Sequence, residues 1–139
     1  MDYDRCSTKD SPKIITVKEN GMTFSVINNS RRIVCVIRVD GCLIDDSRER
    51  CDYAFEIDDP FRSVIYVELK GGDIAKAFSQ LTSTLDHRHA RHGRSKRSCF
   101  IVASRVPRAG PKVQILKVNM VRLYNAQLYV YTTKAEFIT

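Results

Sequence analysis

The sequence predicts an α/β (α+β) fold, with a mixed central β-sheet, antiparallel N-terminal hairpins and flanking helices. Two observations carry this. Up to Lys70 the apolar residues fall in short β-branched or aromatic runs separated by turn signals. From Asp73 the apolar spacing becomes helical, and strand-like runs then return.

Taken in order, residues 1–12 are polar and expected to be loose. Ile14–Val17 and Met22–Ile27 flank Asn20-Gly21, the dipeptide of a tight hairpin turn. Ile33–Val39 and Cys42–Asp45 flank Asp40-Gly41 in the same way, and Cys51–Ile57 forms a further strand ending at Asp58-Asp59-Pro60. Val64–Lys70 follows as a strand. The helix then opens at Asp73, a side chain suited to capping, and carries Ile74, Ala77, Phe78, Leu81 and Leu85 at helical spacing as far as His92-Gly93. Ser98–Val106 returns to strand. A helix from Pro111 bears Val113, Leu116, Met120 and Leu123, and Gln127–Thr132 is expected as the final strand. At 139 residues the chain fits one domain, 1–139, with one core.

Nothing approaches the run of about 18 apolar residues that spans a bilayer, and the start MDYDRCSTKD is unlike a signal peptide. No membrane partner and a cytoplasmic location are therefore expected. Cys6, Cys35, Cys42, Cys51 and Cys99 include no CxxC pair, so they are expected to be reduced, with those in apolar runs acting as small core residues.

Charge is unevenly spread. Residues 1–70 hold eleven Lys+Arg against thirteen Asp+Glu, whereas residues 71–139 hold twelve against three. Arg88, Arg91, Arg94, Lys96 and Arg97 lie together without an acid, as a polyanion-binding surface would, and nucleic acid is the usual polyanion. His87, His89 and His92 in HRHARHGRSKR do not share one helical face, and they read as phosphate contacts of a basic loop rather than as a metal site.

The strand Val64–Lys70 poses a chemical problem. Side chains alternate along a strand, so Glu68 and Lys70 share one face and Ile65, Val67 and Leu69 the other. Charges on a buried face need compensation. Asp52 interrupts the preceding apolar strand, and pairing of the two strands would bring Asp52, Glu68 and Lys70 together. Carboxylate oxygens are what a divalent cation such as Mg²⁺ prefers, while a plain Glu–Lys ion pair is the simpler alternative. Tyr66 shares the face of Glu68, where packing or stacking on a base are both open.

Asp52, a turn, an apolar strand ending Glu68-Leu69-Lys70, Gly71-Gly72-Asp73 and a helix containing Gln80 together resemble the core of the PD-(D/E)xK nuclease superfamily, which includes restriction endonucleases and junction resolvases. The resemblance covers about residues 31–106 and is most specific in VELKGGDIAKAFSQL. It implies a restriction-endonuclease-like core in a small bacterial or phage protein. Asp52, Glu68 and the Leu69 carbonyl would then hold Mg²⁺ or Mn²⁺, Lys70 would be the catalytic lysine and Gln80 an accessory catalytic residue. Many members carry a further acid on a helix before the sheet. Here that region reads as strands, leaving Glu19, Asp45, Asp46 or Glu49, and Cys51 stands where members often have proline.

The resulting expectation is a metal-dependent nuclease acting on DNA. The alternatives are an inactive nucleic-acid-binding or regulatory subunit of the same fold, and a protein-interaction subunit of a bacterial or phage defence system. A homodimer or a larger complex would supply specificity to so small a chain.

Overall fold

The computed structural model describes residues 6–42, 49–58, 63–69, 73–105 and 111–139. Its elements are β1 (Ser7–Asp10), β2 (Ile14–Glu19), β3 (Met22–Ile27), β4 (Val34–Arg38), β5 (Tyr53–Ile57), β6 (Ser63–Leu69), α1 (Ile74–His87), α2 (His89–His92), β7 (Lys96–Ala103), α3 (Pro111–Tyr124), β8 (Ala126–Thr132) and β9 (Lys134–Ile138). The mixed α and β architecture matches the fold class read from the sequence.

The strands form two sheets. One has six strands in the order β1-β4-β5-β6-β7-β8, and the other has the order β2-β3-β9. β1, β4, β5 and β6 are joined antiparallel, whereas β6, β7 and β8 run parallel. Parallel neighbours need a crossover, and α1 supplies the one between β6 and β7. In β6, Val64 and Tyr66 face a core shared with Ile74, Ala77, Leu81 and Leu85 of α1. Ile65, Val67 and Leu69 face a second core built with Phe24 and Val26 of the small sheet. The large sheet is thus the middle of three layers, so its central strands read as unbroken apolar runs.

Local chemistry explains each boundary. Asn20 and Gly21 both adopt positive φ, at 53° and 79°, the backbone that a tight β2–β3 hairpin requires. The Asp73 side chain accepts the Lys76 N–H at 3.0 Å and caps α1, as its position predicts. Phe24 locks the two sheets together, its ring 5.4 Å from Phe55 and 4.9 Å from Phe100.

Four expectations need correction. Residues 7–10 are not loose but form β1, paired with β4. Gln127–Thr132 is not the last strand: β9 follows and pairs parallel with β3, burying Ala135 although its short, mixed sequence carries little strand signal. Leu123 is 63% exposed and so does not belong to the buried face of α3, which Val113 and Met120 form. Cys6 and Cys42 are not reduced thiols but a disulfide, with Cα atoms 5.6 Å apart. The β1–β4 pairing brings them together across 36 residues, a proximity their spacing does not reveal. Cys35, Cys51 and Cys99 are free, and the last two are buried as expected. The expected strand ends at Asp45, Lys70 and Val106, and the Asp59-Pro60 turn, lie outside the described residues.

Asn28 ties the N-terminal strands to the C-terminus. Its amide nitrogen donates to the carbonyls of Pro12 at 2.9 Å and Arg32 at 2.8 Å, while its oxygen accepts the Arg32 N–H at 3.0 Å and the Thr139 hydroxyl at 3.1 Å. The residue is fully buried. Asn28→Ala strands these partners, and urea unfolding should show a loss of about 1–3 kcal/mol, the range for unsatisfied buried polar groups. A change below about 0.5 kcal/mol would remove Asn28 from this role.

Candidate functional site at the end of strand six

The register of β5 against β6 pairs Tyr53 with Val67, which sets Asp52 opposite Glu68. The Asp52 N–H donates to the Val67 carbonyl at 3.1 Å, and the Asp52 carboxylate accepts the Leu69 N–H at 2.8 Å. The Asp52 carbonyl in turn accepts the N–H groups of Val39 at 2.9 Å and Asp40 at 3.3 Å. Asp52 is therefore held from both sides, by the end of β6 and by the end of β4.

Glu68 is 1% exposed on the helix-facing side of β6, and its carboxyl group is in hydrogen-bond contact with that of Asp52. Two carboxyl groups in contact need a shared proton or a cation between them. Burial is the main cause that raises the Asp52 pKa to about 6. The Leu69 N–H opposes the rise, the charges of Glu19 and Asp40 add to it, and the hydrogen bond with Glu68 works against it. Burial also pushes the Cys51 thiol well up, with the nearby Glu68 adding to the shift.

Helix α1 closes this corner from one side. The Thr84 hydroxyl accepts the Cys51 N–H at 2.9 Å and donates to the Gln80 carbonyl at 2.9 Å. It thereby fixes the chain just before Asp52. Nothing in the sequence marks Thr84 for this role, since a threonine inside a helix announces no such contact. The Gln80 Oε1 atom is buried with no hydrogen-bond partner among the described residues. Glu49 accepts a hydrogen bond from the Ser79 hydroxyl, one residue from Gln80. Of the four loose acid candidates, Glu19 acts on Asp52 through its charge and Glu49 contacts α1, while Asp45 and Asp46 lie outside the described residues, as does Lys70.

The donor set suits a hard cation. The Asp52 and Glu68 carboxyl groups offer oxygen, which Mg²⁺ takes while keeping several waters. No group of three His, Cys, Asp or Glu side chains able to hold a metal gathers among the described residues.

The basic cluster divides into two kinds of residue. Arg94 and Lys96 are exposed. Arg97 is buried and donates to the Tyr124 carbonyl, and Arg91 grips Glu56 through Nε at 2.7 Å and a terminal nitrogen at 3.3 Å. Arg88 caps the end of α1.

His92 overturns its reading as a phosphate contact, being 1% exposed. Its Nδ1 meets the Tyr66 hydroxyl and its Nε2 lies 2.5 Å from a Glu56 oxygen. A neutral ring satisfies both neighbours, with Tyr66 O–H donating to Nδ1 and Nε2–H donating to Glu56. Burial, joined by the charges of Arg88 and Arg91, lowers the His92 pKa against the pull of Glu56, and burial pushes the Tyr66 phenol far above its ordinary value. Tyr66, fully buried, is a packing residue and is closed to a base. Glu56 and His92 carry no local sequence signal for their pairing, because 36 residues separate them.

Asp52 and His92 predict opposite effects of acid. Asp52 binds its proton more tightly folded than unfolded, so its contribution to stability grows as pH falls from about 6 toward its ordinary value. His92 binds its proton less tightly folded, so its contribution is lost as pH falls below about 6.5. Urea unfolding between pH 8 and 5 should show Asp52→Asn losing stability with acid more steeply than the parent chain, and His92→Gln losing it less steeply. Parallel pH profiles for Asp52→Asn and the parent would contradict the first assignment.

No protein-family profile, curated protein or solved structure matches the chain.

Proposed function

We propose that this chain is a metal-dependent nuclease that hydrolyses phosphodiester bonds, with DNA as its substrate. The observation that carries the proposal is the meeting of the Asp52 and Glu68 carboxyl groups at the end of the strand that runs into Lys70. The antiparallel run β4-β5-β6, followed by α1 and the parallel strand β7, is the order a restriction-endonuclease-like core would need, and it supports the reading.

In this reading Asp52, Glu68 and the Leu69 carbonyl would hold Mg²⁺ or Mn²⁺. The bound cation would acidify a water and offset charge on the phosphate. Burial raises the Asp52 pKa to about 6, and a bound cation would take the place of the proton that the pair otherwise shares. Lys70 orients the attacking water and balances the charge that develops on phosphate as the in-line displacement proceeds. Gln80, whose side-chain oxygen is buried without a hydrogen-bond partner among the described residues, would be the accessory residue on α1. Arg94 and Lys96, being exposed, contact the nucleic-acid backbone.

The runner-up is a nucleic-acid-binding or regulatory subunit without catalysis. It is favoured by a basic surface that stands apart in sequence from the carboxyl pair and needs no metal. No described helix is long and apolar enough to cross a membrane, and the Cys6–Cys42 disulfide is a bond that an oxidising compartment preserves and a reducing cytoplasm opposes.

Two variants separate the roles at the strand end. Glu68→Ala removes a ligand, so calorimetric titration should show Mn²⁺ binding at least tenfold weaker and plasmid cleavage should be abolished. Lys70→Ala removes a repelling positive charge, so Mn²⁺ affinity should hold or rise while cleavage is lost. Equal weakening of Mn²⁺ binding in both variants would make Glu68 and Lys70 a structural ion pair. Tight DNA binding by the parent without metal-dependent cleavage would favour the runner-up.

The divided basic cluster makes a further prediction for binding. Replacing Arg94 and Lys96 together by Gln should lower the log-log salt slope of duplex binding by about two. Arg97→Gln should lower stability instead and leave the slope near that of the parent. An unchanged slope in the double variant would remove these residues from the binding surface.

A further inference from the structure

At the far edge of the large sheet, β8 has no strand on its outer side among the described residues. Proteins usually protect such an edge with charge, proline or a bulge, because it offers a row of unused backbone groups. β8, with the sequence AQLYVYT, contains neither charge nor proline. Beside it, a groove of about 400 Å³ runs between α3 and the strand, walled by Val118, Val121 and Leu128 and flanked by Lys117 and Arg122. Val118 is 61% exposed and Val121 45%, and on the other face of β8 Tyr129 and Tyr131 are 38% and 44% exposed. Apolar surface thus borders both sides of an open strand edge, a pattern that marks an interaction site.

Charge decides which occupant fits. Residues 87–135 contain no Asp or Glu, so α3, β8 and their connection present only positive groups, with Lys117 and Arg122 at the groove itself. A second copy would set Lys117 and Arg122 near their own equivalents, an arrangement that repels. A phosphate backbone would match the charge but leave the apolar wall and the strand edge unused. An extended protein segment answers all three features: its backbone pairs with β8, alternate apolar side chains enter the groove, and acidic side chains at its ends meet Lys117 and Arg122.

We propose that the open edge of β8 and the groove beneath α3 form a docking site for an extended, acidic-flanked apolar segment of a partner protein, which adds a strand to the large sheet. The site is distinct from the carboxyl pair at the end of β6 and does not depend on nuclease activity.

The test uses a fluorescein-labelled peptide, Glu-Thr-Leu-Thr-Val-Thr-Leu-Thr-Glu, and the same peptide with Lys for each Glu. Fluorescence anisotropy on the intact chain should show saturable binding of the acidic peptide and at least tenfold weaker binding of the basic one. Val118→Asp, and separately Lys117→Glu with Arg122→Glu, should each weaken the acidic peptide at least tenfold while thermal unfolding stays unchanged, because these side chains sit at the surface. Hydrogen exchange should show β8 amides slowed by the peptide. The proposal fails if neither peptide binds, if binding ignores peptide charge or the variants, or if β8 exchange is unaffected. It also fails if the free chain sediments as a dimer that Val118→Asp dissociates, which would assign the face to a second copy, or if Val118→Asp weakens duplex DNA binding instead.

Discussion

The contact on which the candidate site depends is the hydrogen bond from the Leu69 N–H to the Asp52 carboxylate. It closes the open end of the β5–β6 ladder and holds Asp52 against Glu68, in a place where burial alone would drive two carboxyl groups apart or neutralise them. Around it the backbone is tied from several sides: Val39 and Asp40 just after β4, Val67 from β6, and Thr84 from α1 all bond to Cys51 or Asp52. These bonds fix the backbone of Cys51 and Asp52 at this end of the sheet.

A second buried polar group sits at the other end of the same strands. Glu56 lies opposite Val64 near the start of β6, and it gathers His92 and Arg91 while His92 reaches Tyr66. Arg91 and His92 come from α2, Glu56 from β5 and Tyr66 from β6, so the network pins the short helix α2 to the sheet and fixes where the following residues emerge. Arg94 and Lys96 are thereby presented outward, while Arg97 turns back to the end of α3. One run of basic residues does two jobs, and packing rather than composition separates them.

The large sheet therefore has three chemically different regions: the carboxyl corner, the buried histidine network and the open β8 edge. Their independence follows from the layering. The small sheet covers one face, and α1 and α3 cover the other, which leaves strand ends and the edge strands among the described residues uncovered by these layers.

What the sequence by itself determined is local. The Asn20-Gly21 hairpin, the Asp73 cap, the change from strand to helical spacing and the alternation that puts Glu68 on one face all follow from φ preferences and side-chain period, which act within a few residues. The closeness of Asp52 and Glu68 was also legible, because consecutive antiparallel strands extend a register that can be counted. What only the tertiary structure decided are the contacts between distant segments: the Cys6–Cys42 disulfide, the Glu56–His92 pair, the Thr84 bond to Cys51 and the pairing of β9 with β3. Chain spacing does not encode these, since each depends on which layers stack and in what order. The energy that selects the stacking comes from burying both faces of the large sheet at once.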